Sequence, residues 1–281
     1  MKTIQYPQIV ESVSDMCVAA ACDLPEDIWE SIKKARVNEP FPRAQEILDQ
    51  ILENAFIAQK ERIPICQDTG YAVYFVKIGD DVKIEDGTLS DAINEGTAKG
   101  YTKGNLRGSI VNDPLFDRKN TGNNTPAMIH VDIVDGGALQ IDLLPKGGGC
   151  ENMSRLAMLK PSDGLPGVKK FVKESVVSAG GNPCPPVIVG VGVGGTADGA
   201  CVLAKKALLR PAGVYHNDQR YAALEHELFE EINASGVGPQ GLGGMHTALG
   251  VFIEYLPCHI ASLPVAVSLN CHAARRMSVI L

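Results

Sequence analysis

The sequence predicts an α+β fold in which helices surround mixed β-sheets, with a helical N-terminus. Residues 9–60 repeat apolar side chains at helical spacing, and residues 127–143 alternate apolar and polar side chains as half-buried strands do. Further helices and strands follow, without an internal repeat, linker or low-complexity tract. We therefore expect residues 1–281 to form a single unit, with two lobes as the alternative.

Three helices are expected near the N-terminus. Apolar residues recur at helical spacing over residues 9–20, and Pro25 with the two acidic residues after it is a start signal for a second helix that runs to Arg36. Pro40 and Pro42 end that helix. The pattern over residues 43–60 is the clearest in the chain, and this third helix leads to the loop that contains Cys66.

Strands are expected from residue 71 onwards. Residues 71–78 are rich in Val, Tyr and Phe, and the alternating runs 127–133 and 139–143 are separated by Asp135-Gly136-Gly137. A glycine-containing turn between two such runs predicts a hairpin with one buried face. Further strands are expected at 187–193, 249–255 and 265–269, and further helices at 89–103, 168–176, 197–209 and 224–232.

The chain ends in an apolar tail that follows a polar, basic loop. Arg275 and Arg276 come directly before the apolar positions of residues 277–281. Such a tail is either a frayed end or a segment that a partner chain continues.

The composition is that of a soluble globular protein. The 281 residues are 45% hydrophobic and 21% charged, and no apolar run is long enough to span a bilayer. The formal net charge of -7 argues against nucleic-acid binding, because contacts to a phosphate backbone need a basic surface. No apolar signal-peptide core follows Met1, so the cytoplasm is the expected location.

The eight cysteines do not form a local metal motif. They include no C-x-x-C pair, which removes the zinc ribbon and the thioredoxin motif from consideration. Three of them, Cys17, Cys22 and Cys201, lie among alanines and valines on or beside predicted helices. We interpret these three as small buried side chains.

Cys66, Cys184 and Cys271 share a different setting, because each lies in a loop or at a strand end beside polar residues, prolines or glycines. Thiolates are soft metal ligands, so three converging loop thiols could hold an iron–sulfur cluster, and inert thiols are the alternative. Three thiolates on a four-iron cluster would leave one iron open, as a Lewis-acid catalyst requires. Clusters that transfer electrons usually have four ligands.

The run from Gly190 to Gly195 fits the dinucleotide pattern G-x-G-x-x-G. The second half of that fingerprint is missing, because no acidic residue ends a second strand about twenty residues further on. We therefore expect these glycines to allow close packing of a strand against a helix, or to line a cluster pocket.

Six motifs occur together and in order along nearly the whole chain. They are Cys-Gln-Asp-Thr-Gly at Cys66, Leu-Arg-x-Ser at Leu106, Lys-Gly-Gly-Gly at Lys146, Cys-Pro-Pro at Cys184, Gly-Pro-Gln-Gly-Leu-Gly-Gly at Gly238 and Asn-Cys-His-x-x-Arg-Arg at Asn270. As a set they resemble the N-terminal half of the class I, iron–sulfur fumarate hydratases. Because the further domain of those enzymes is absent, residues 1–281 look like the alpha subunit of the two-subunit form.

The resemblance implies a cofactor, a substrate class and a role for each matching residue. A [4Fe-4S] cluster with one open iron would be bound by Cys66, Cys184 and Cys271. The C4-dicarboxylate substrate would be held by positions that match Gln67, Arg107, the backbone of Gly149, and His259. Asp68 matches the carboxylate beside the leaving hydroxyl.

The resemblance also implies a partner. A beta subunit would carry the remaining active-site residues, including the base that removes the carbon-bound proton, within a higher-order hetero-oligomer. The expected reaction is the interconversion of (S)-malate with fumarate and water, and the chain alone is expected to be inactive.

Cys150 departs from the fumarase pattern, which more often has serine there. In this respect the chain is similar to L-tartrate dehydratase alpha subunits, whereas Lys146 and Glu151-Asn152 look more like fumarase. Dehydration of L-tartrate or another hydroxy-diacid is therefore the alternative within the same class. If Cys150 were a fourth ligand, the chain would instead be an electron-transfer or structural iron–sulfur subunit.

Overall fold

The computed structural model describes residues 2–281, which form two units of mixed helices and strands. Unit 1 comprises residues 2–24, Ala55–Gly148 and Arg275–Leu281, and unit 2 comprises Pro25–Asn54 and Gly149–Ala274. The α+β class is confirmed. No helix among residues 2–281 has the length and apolar character needed to cross a membrane.

Unit 1 contains a four-stranded sheet and a two-stranded one. Its elements are β1 (Lys2–Gln5), α1 (Tyr6–Cys22), β2 (Tyr71–Gly79), β3 (Val82–Glu85), α4 (Leu89–Lys103), β4 (Met128–Val134), β5 (Leu139–Lys146) and β10 (Met277–Ile280). The larger sheet has the order β10-β5-β2-β4, and β1 pairs with β3 in parallel. Helix α3 (Pro42–Glu61) contributes residues to both units.

Unit 2 contains a second four-stranded sheet with the order β6-β9-β7-β8. Its elements are α2 (Glu26–Asn38), β6 (Arg155–Leu159), α6 (Gly164–Ala179), β7 (Val187–Gly194), α7 (Ala197–Ala207), α8 (Gln219–Asn233), β8 (Ala248–Leu256) and β9 (Leu263–Asn270), and a short helix, α5 (Gly148–Glu151), begins at the boundary. Strand β7 is parallel to β8 and antiparallel to β9.

Small residues set the packing of α1 against α4 in unit 1. A Cβ added at Gly96 would lie 2.7 Å from Val13 Cβ, and one added at Gly100 would lie 2.7 Å from Cys17 Cβ. Cys17 is buried, as predicted, and its sulfur contacts the Tyr74 hydroxyl at 3.3 Å. Cys22 is buried as well, but Cys201 is exposed, so the prediction for that third cysteine is wrong.

The predicted hairpin is wrong, although both of its strands exist. Strand β2 lies between β4 and β5, pairing with β4 in parallel and with β5 in antiparallel fashion. The Asp135-Gly136-Gly137 turn crosses the end of β2, where a Cβ on Gly79 would lie 2.0 Å from the Gly136 oxygen. A glycine at position 79 therefore lets the connection cross β2 and place β5 on its other side.

Four short strands were not predicted, and one of them is the C-terminal tail. Residues 277–280 form β10, which pairs antiparallel to β5, and Leu281 and Leu139 exchange two backbone hydrogen bonds. The tail is therefore part of a sheet and not a frayed end. The other three are β1, which precedes the expected helical N-terminus, β3 and β6.

The glycines of the G-x-G-x-x-G run pack helix α7 onto strand β7. A Cβ on Gly190 would lie 2.1 Å from the Ala204 oxygen, and a Cβ on Gly192 would lie 2.0 Å from the Ala200 oxygen. Real Cβ atoms cannot approach a carbonyl oxygen so closely. The interpretation as close strand–helix packing is confirmed.

The substitution Gly192→Ala should therefore lower the free energy of unfolding by about 1–3 kcal/mol, because α7 must move away from β7. Gly137→Ala is the matched control, since its Cβ would meet only Lys2 Cβ at 3.7 Å. Urea titration followed by circular dichroism measures both changes. Equal losses in the two variants would contradict this view of the packing.

Candidate active site

The loop that contains Cys66, Gln67 and Asp68 is anchored at both ends within unit 1. The amide of the buried Ile65 donates to the Ala21 oxygen at 2.9 Å, and β2 begins directly after Gly70. Gly70 has a φ of 87°, and a Cβ there would lie 2.9 Å from the Lys146 backbone nitrogen. Only glycine fits this close approach between the loop and the end of β5.

Buried polar side chains hold the loop from below. The Tyr101 hydroxyl donates to the Gly70 oxygen at 2.7 Å, and Asn124 Nδ2 donates to the same oxygen at 3.2 Å. Burial raises the pKa of the Tyr101 hydroxyl above its ordinary value, so the hydroxyl stays neutral and keeps its proton for this bond. The Arg275 guanidinium donates from Nη2 to the backbone oxygen of Asp68 at 3.0 Å.

The Asp68 carboxylate has a fixed orientation. Its Oδ1 accepts from the Gly70 amide at 3.0 Å, and its Oδ2 accepts from the Gly148 amide at 2.7 Å. A Cβ on Gly147 would lie 3.2 Å from Oδ2, so the glycine run after β5 lets the backbone approach the carboxylate. Each oxygen keeps a second lone pair, which can take or return a proton.

Unit 1 brings four of the predicted site residues together. Cys66 and Gln67 are neighbours whose side chains meet at 3.3 Å, and the Asp68 amide donates to Cys66 Sγ at 3.4 Å. Arg107 has an exposed side chain, and its backbone oxygen accepts from the buried Thr69 hydroxyl at 3.1 Å. Thr69 therefore ties the segment of Arg107 to the Cys66 loop.

In unit 2, Cys184 and Cys271 lie at the same end of the sheet. Cys184 comes shortly before β7, Cys271 follows β9, and Ile188 of β7 pairs with Asn270 of β9. The amide of His272 donates to the Cys184 oxygen at 3.2 Å. Cys184 has a φ of 53°, a backbone conformation that its surroundings must hold in place.

The Cys184 segment is held from two sides within unit 2. The Cys150 thiol donates to the Pro183 oxygen at 3.4 Å, and a Cβ on the exposed Gly149 would lie 3.2 Å from the Asn182 oxygen. From the other side, Gln240 donates to the Pro185 oxygen through its backbone nitrogen at 2.7 Å and its side chain at 3.1 Å.

His259 lies at the opposite end of β9 from Cys271. The eight residues of β9, Leu263–Asn270, span about 26 Å, so unit 2 does not bring His259 together with the two thiols. His259 lies on a shallow cavity of about 440 Å³ that is also lined by Leu165 and Tyr221. Its Nδ1 accepts from the Ala261 amide at 3.1 Å, which leaves the proton of the neutral ring on Nε2. The binding role predicted for His259 stays a prediction.

The three predicted cluster ligands fit an iron–sulfur centre by their chemistry. All three are thiols, Cys66 and Cys271 are partly buried, and Cys184 is exposed. Among residues 2–281, no group of three or more His, Cys, Asp or Glu side chains is placed to hold a metal ion. A four-iron cluster differs from a single ion, because each of its thiolates binds a different iron.

Comparison with known proteins identifies the family. The family model for fumarate hydratase (Fumerase) matches residues 10–280. The chain belongs to this fumarate hydratase family. It is 43% identical over 274 residues, 96% of each chain, to a protein of Methanocaldococcus jannaschii that is provisionally named an L(+)-tartrate dehydratase subunit alpha. It is also 36% identical to the L(+)-tartrate dehydratase subunit alpha of Escherichia coli, over 96% of this chain and 89% of that one.

Four residues that support the site in this fumarate hydratase family member were not singled out from the sequence. They are Tyr101, Asn124, Gln240 and Arg275. Gln240 and Arg275 lie inside two of the six motifs that resemble the family, so the sequence did offer an indication that they support the site. From the sequence, Tyr101 is only an apolar position of a helix and Asn124 only a turn residue. Their role is hidden because the Gly70 carbonyl group that both contact is distant in sequence.

Replacing Tyr101 by Phe should lower the free energy of unfolding by about 1–3 kcal/mol, because the Gly70 oxygen loses its shortest buried donor. Tyr6→Phe is the matched control, since that hydroxyl donates to Glu95 at an exposed position. The control should change stability by less than about 0.5 kcal/mol in the same urea titration. Tyr101→Phe with the stability of the control would show that the bond does not support the loop.

Proposed function

We propose that this chain is the alpha subunit of an iron–sulfur hydro-lyase that dehydrates a C4 hydroxydicarboxylic acid, with L(+)-tartrate as the first candidate. The observation that carries the proposal is the Asp68 carboxylate, which the Gly70 and Gly148 amides hold in place, while the Asp68 amide donates to Cys66 Sγ. A fixed carboxylate next to a metal-binding thiol suits proton transfer at a leaving hydroxyl. The sequence motifs favour malate, whereas the names of the relatives favour tartrate.

The proposed cluster ligands are Cys66, Cys184 and Cys271. When bound, a [4Fe-4S] cluster with one iron not held by cysteine supplies a Lewis acid that stabilises a departing hydroxide. The fit of three loop thiols and the family resemblance support this assignment.

The side chains around Cys66 supply binding and proton transfer in this proposal. Asp68 gives a proton to the leaving hydroxyl oxygen, and its two backbone hydrogen bonds keep the carboxyl group aimed at one position. Arg107 offers a planar pair of donors to a substrate carboxylate, and the exposed amide of Gln67 offers a further donor. The Gly149 amide is assigned to the same dicarboxylate by the resemblance.

Interconversion of (S)-malate with fumarate is the second candidate reaction. It is favoured by the family model and by Lys146 and Glu151-Asn152. Both reactions remove a hydroxyl from one carbon and a proton from the neighbouring carbon of a C4 diacid. The substrates differ in one further hydroxyl group and in the configuration at the hydroxyl-bearing carbon, which is R in L(+)-tartrate and S in the malate.

An electron-transfer or structural role would need Cys150 as a fourth ligand. The Cys150 side chain is 5% exposed, and its thiol donates to the Pro183 oxygen. This bond supports a role in holding the Cys184 segment instead, which leaves the proposed cluster with three thiolates.

The proposal includes a beta subunit, because the relatives are named as alpha subunits. That subunit would provide the base that removes the carbon-bound proton, so the alpha chain alone is expected to be inactive. A higher-order hetero-oligomer and a cytoplasmic location stay predictions.

The substrate is tested by coexpressing the chain with its candidate beta subunit and purifying the complex without oxygen. We expect dehydration of L(+)-tartrate with kcat/KM at least tenfold above that for (S)-malate, and no turnover by the alpha chain alone. Asp68→Asn should lower kcat on the order of a hundredfold, whereas the exposed Asp86→Asn should not. Turnover of malate but not tartrate would overturn the first candidate.

The ligand set is tested by measuring iron and acid-labile sulfide in serine variants of the same complex. Cys66→Ser, Cys184→Ser and Cys271→Ser should each lose the cluster, because a hydroxyl is a poor substitute for a thiolate on iron. Cys150→Ser is the matched control and should keep the cluster, since serine can still donate to the Pro183 oxygen. Loss of the cluster in the control would identify Cys150 as a ligand.

A further inference from the structure

Arg275 is a buried cation that is only partly satisfied by hydrogen bonds. Its side chain is 2% exposed, and Nη2 donates to the Asp68 backbone oxygen at 3.0 Å. Its Nε and Nη1 atoms are buried and have no hydrogen-bond partner among the described residues. A guanidinium carries five N–H donors and cannot lose its charge, so this arrangement leaves a positive charge uncompensated.

Two other buried charged residues among residues 2–281 have ionic partners. Glu225 forms an ion pair with Arg210, and Glu39 contacts the His246 ring at 2.8 Å. By contrast, no carboxylate within residues 2–281 forms an ion pair with Arg275. Buried charges are normally paired, because taking an isolated charge out of water costs several kcal/mol. The unpaired guanidinium therefore indicates that an anion belongs near it.

The place for that anion is next to the Cys66 loop. Arg275 donates to the backbone of Asp68, whose amide in turn donates to Cys66 Sγ at 3.4 Å. The Asp68 carboxylate is turned toward the Gly70 and Gly148 amides. Burial is the main cause that raises the pKa of Tyr101, and among the smaller causes the Arg275 charge opposes that rise. The Arg275 guanidinium therefore interacts with the Tyr101 hydroxyl and with the Asp68 backbone, both of which belong to or support the Cys66 loop.

A substrate in solution does not reach the unpartnered edge of Arg275, because Nε and Nη1 are shielded from solvent. A group bound by the Cys66 loop can still interact electrostatically with the Arg275 guanidinium. An iron–sulfur cluster with thiolate ligands is anionic, and nearby positive charge stabilises it, most of all in its reduced form.

We propose that Arg275 is a positioning residue that fixes the main chain at Asp68 and provides the buried positive charge that balances the cluster bound by Cys66. This inference rests on the proposed function. It adds a residue that holds the catalytic loop without touching substrate.

The inference is tested in the complex of alpha and beta subunits, loaded with iron and sulfide, with Arg275→Gln and Arg275→Lys. The matched control is Arg62→Gln, which removes an exposed arginine that pairs with Asp23 in the same unit. The cluster reduction potential is followed by electron paramagnetic resonance during a redox titration. Arg275→Gln should shift the potential to a more negative value, because the reduced cluster loses a neighbouring positive charge. Arg275→Lys and Arg62→Gln should keep the potential of the wild type.

Two further measurements separate this role from a purely structural one. The rise in Tm on cluster loading should be smaller in Arg275→Gln than in the wild type, and Arg275→Lys should restore it. With the hydroxy-diacid, Arg275→Gln should lower kcat at least tenfold and change KM less than twofold.

A wild-type potential in Arg275→Gln, or an equal rise in Tm on loading, would overturn the inference while leaving the proposed function intact. A higher KM with unchanged kcat would also overturn it, since that pattern indicates direct contact with substrate. Absence of a cluster from the wild-type complex would overturn the proposed function and this inference together.

Discussion

The hydrogen bond from the buried Tyr101 hydroxyl to the Gly70 oxygen is the contact on which the candidate chemistry of unit 1 depends. It fixes the backbone at the point where the loop enters β2. The bonds from Asn124 to Gly70 and from Arg275 to Asp68 add to it. Because buried side chains hold its carbonyl groups, the loop keeps the Cys66 thiol and the Asp68 carboxylate in fixed positions.

Unit 2 positions its thiols by a different means. Close packing of α7 against Gly190 and Gly192 buries β7, and the antiparallel pairing of β7 with β9 sets Cys184 and Cys271 at one end of the sheet. The Cys150 thiol and Gln240 then hold the segment around Cys184, whose positive φ needs such support. Thiols fixed by a rigid sheet lose little freedom when they bind metal, which favours affinity.

Much of this fold follows from periodicity within single elements. Helix α4 begins and ends where the sequence predicts, because a capping Thr88 and a regular apolar face mark it locally. Pairing between distant segments is what the sequence does not reveal. Strand β10 has four residues and a partner, β5, far away in the chain, and the order β5-β2-β4 depends on a glycine that lets a turn cross β2.

The site could be predicted as a set of residue types and only in part as an arrangement. Motifs named the thiols, Gln67, Asp68 and Arg107, and within unit 1 Gln67 and Asp68 contact Cys66 while the backbone of Arg107 bonds to Thr69 of the same loop. The strand predicted at 265–269 lies between His259 and Cys271 in the sequence, and β9 places the two residues at opposite ends of that strand. The sequence does not reveal the roles of Tyr101 and Asn124. Both side chains bind the backbone carbonyl group of Gly70, and a backbone group produces no recognisable sequence motif.

We propose that this chain helps to bind a cluster with one iron that is open to a hydroxy-diacid. Mössbauer spectroscopy of the complex of alpha and beta subunits, enriched in a suitable iron isotope and kept without oxygen, tests it most directly. We expect a cluster in which one iron differs from the others, and addition of L(+)-tartrate should change the signal of that iron alone. Four equivalent irons whose signals do not respond to the diacid, or a complex without iron, would contradict it.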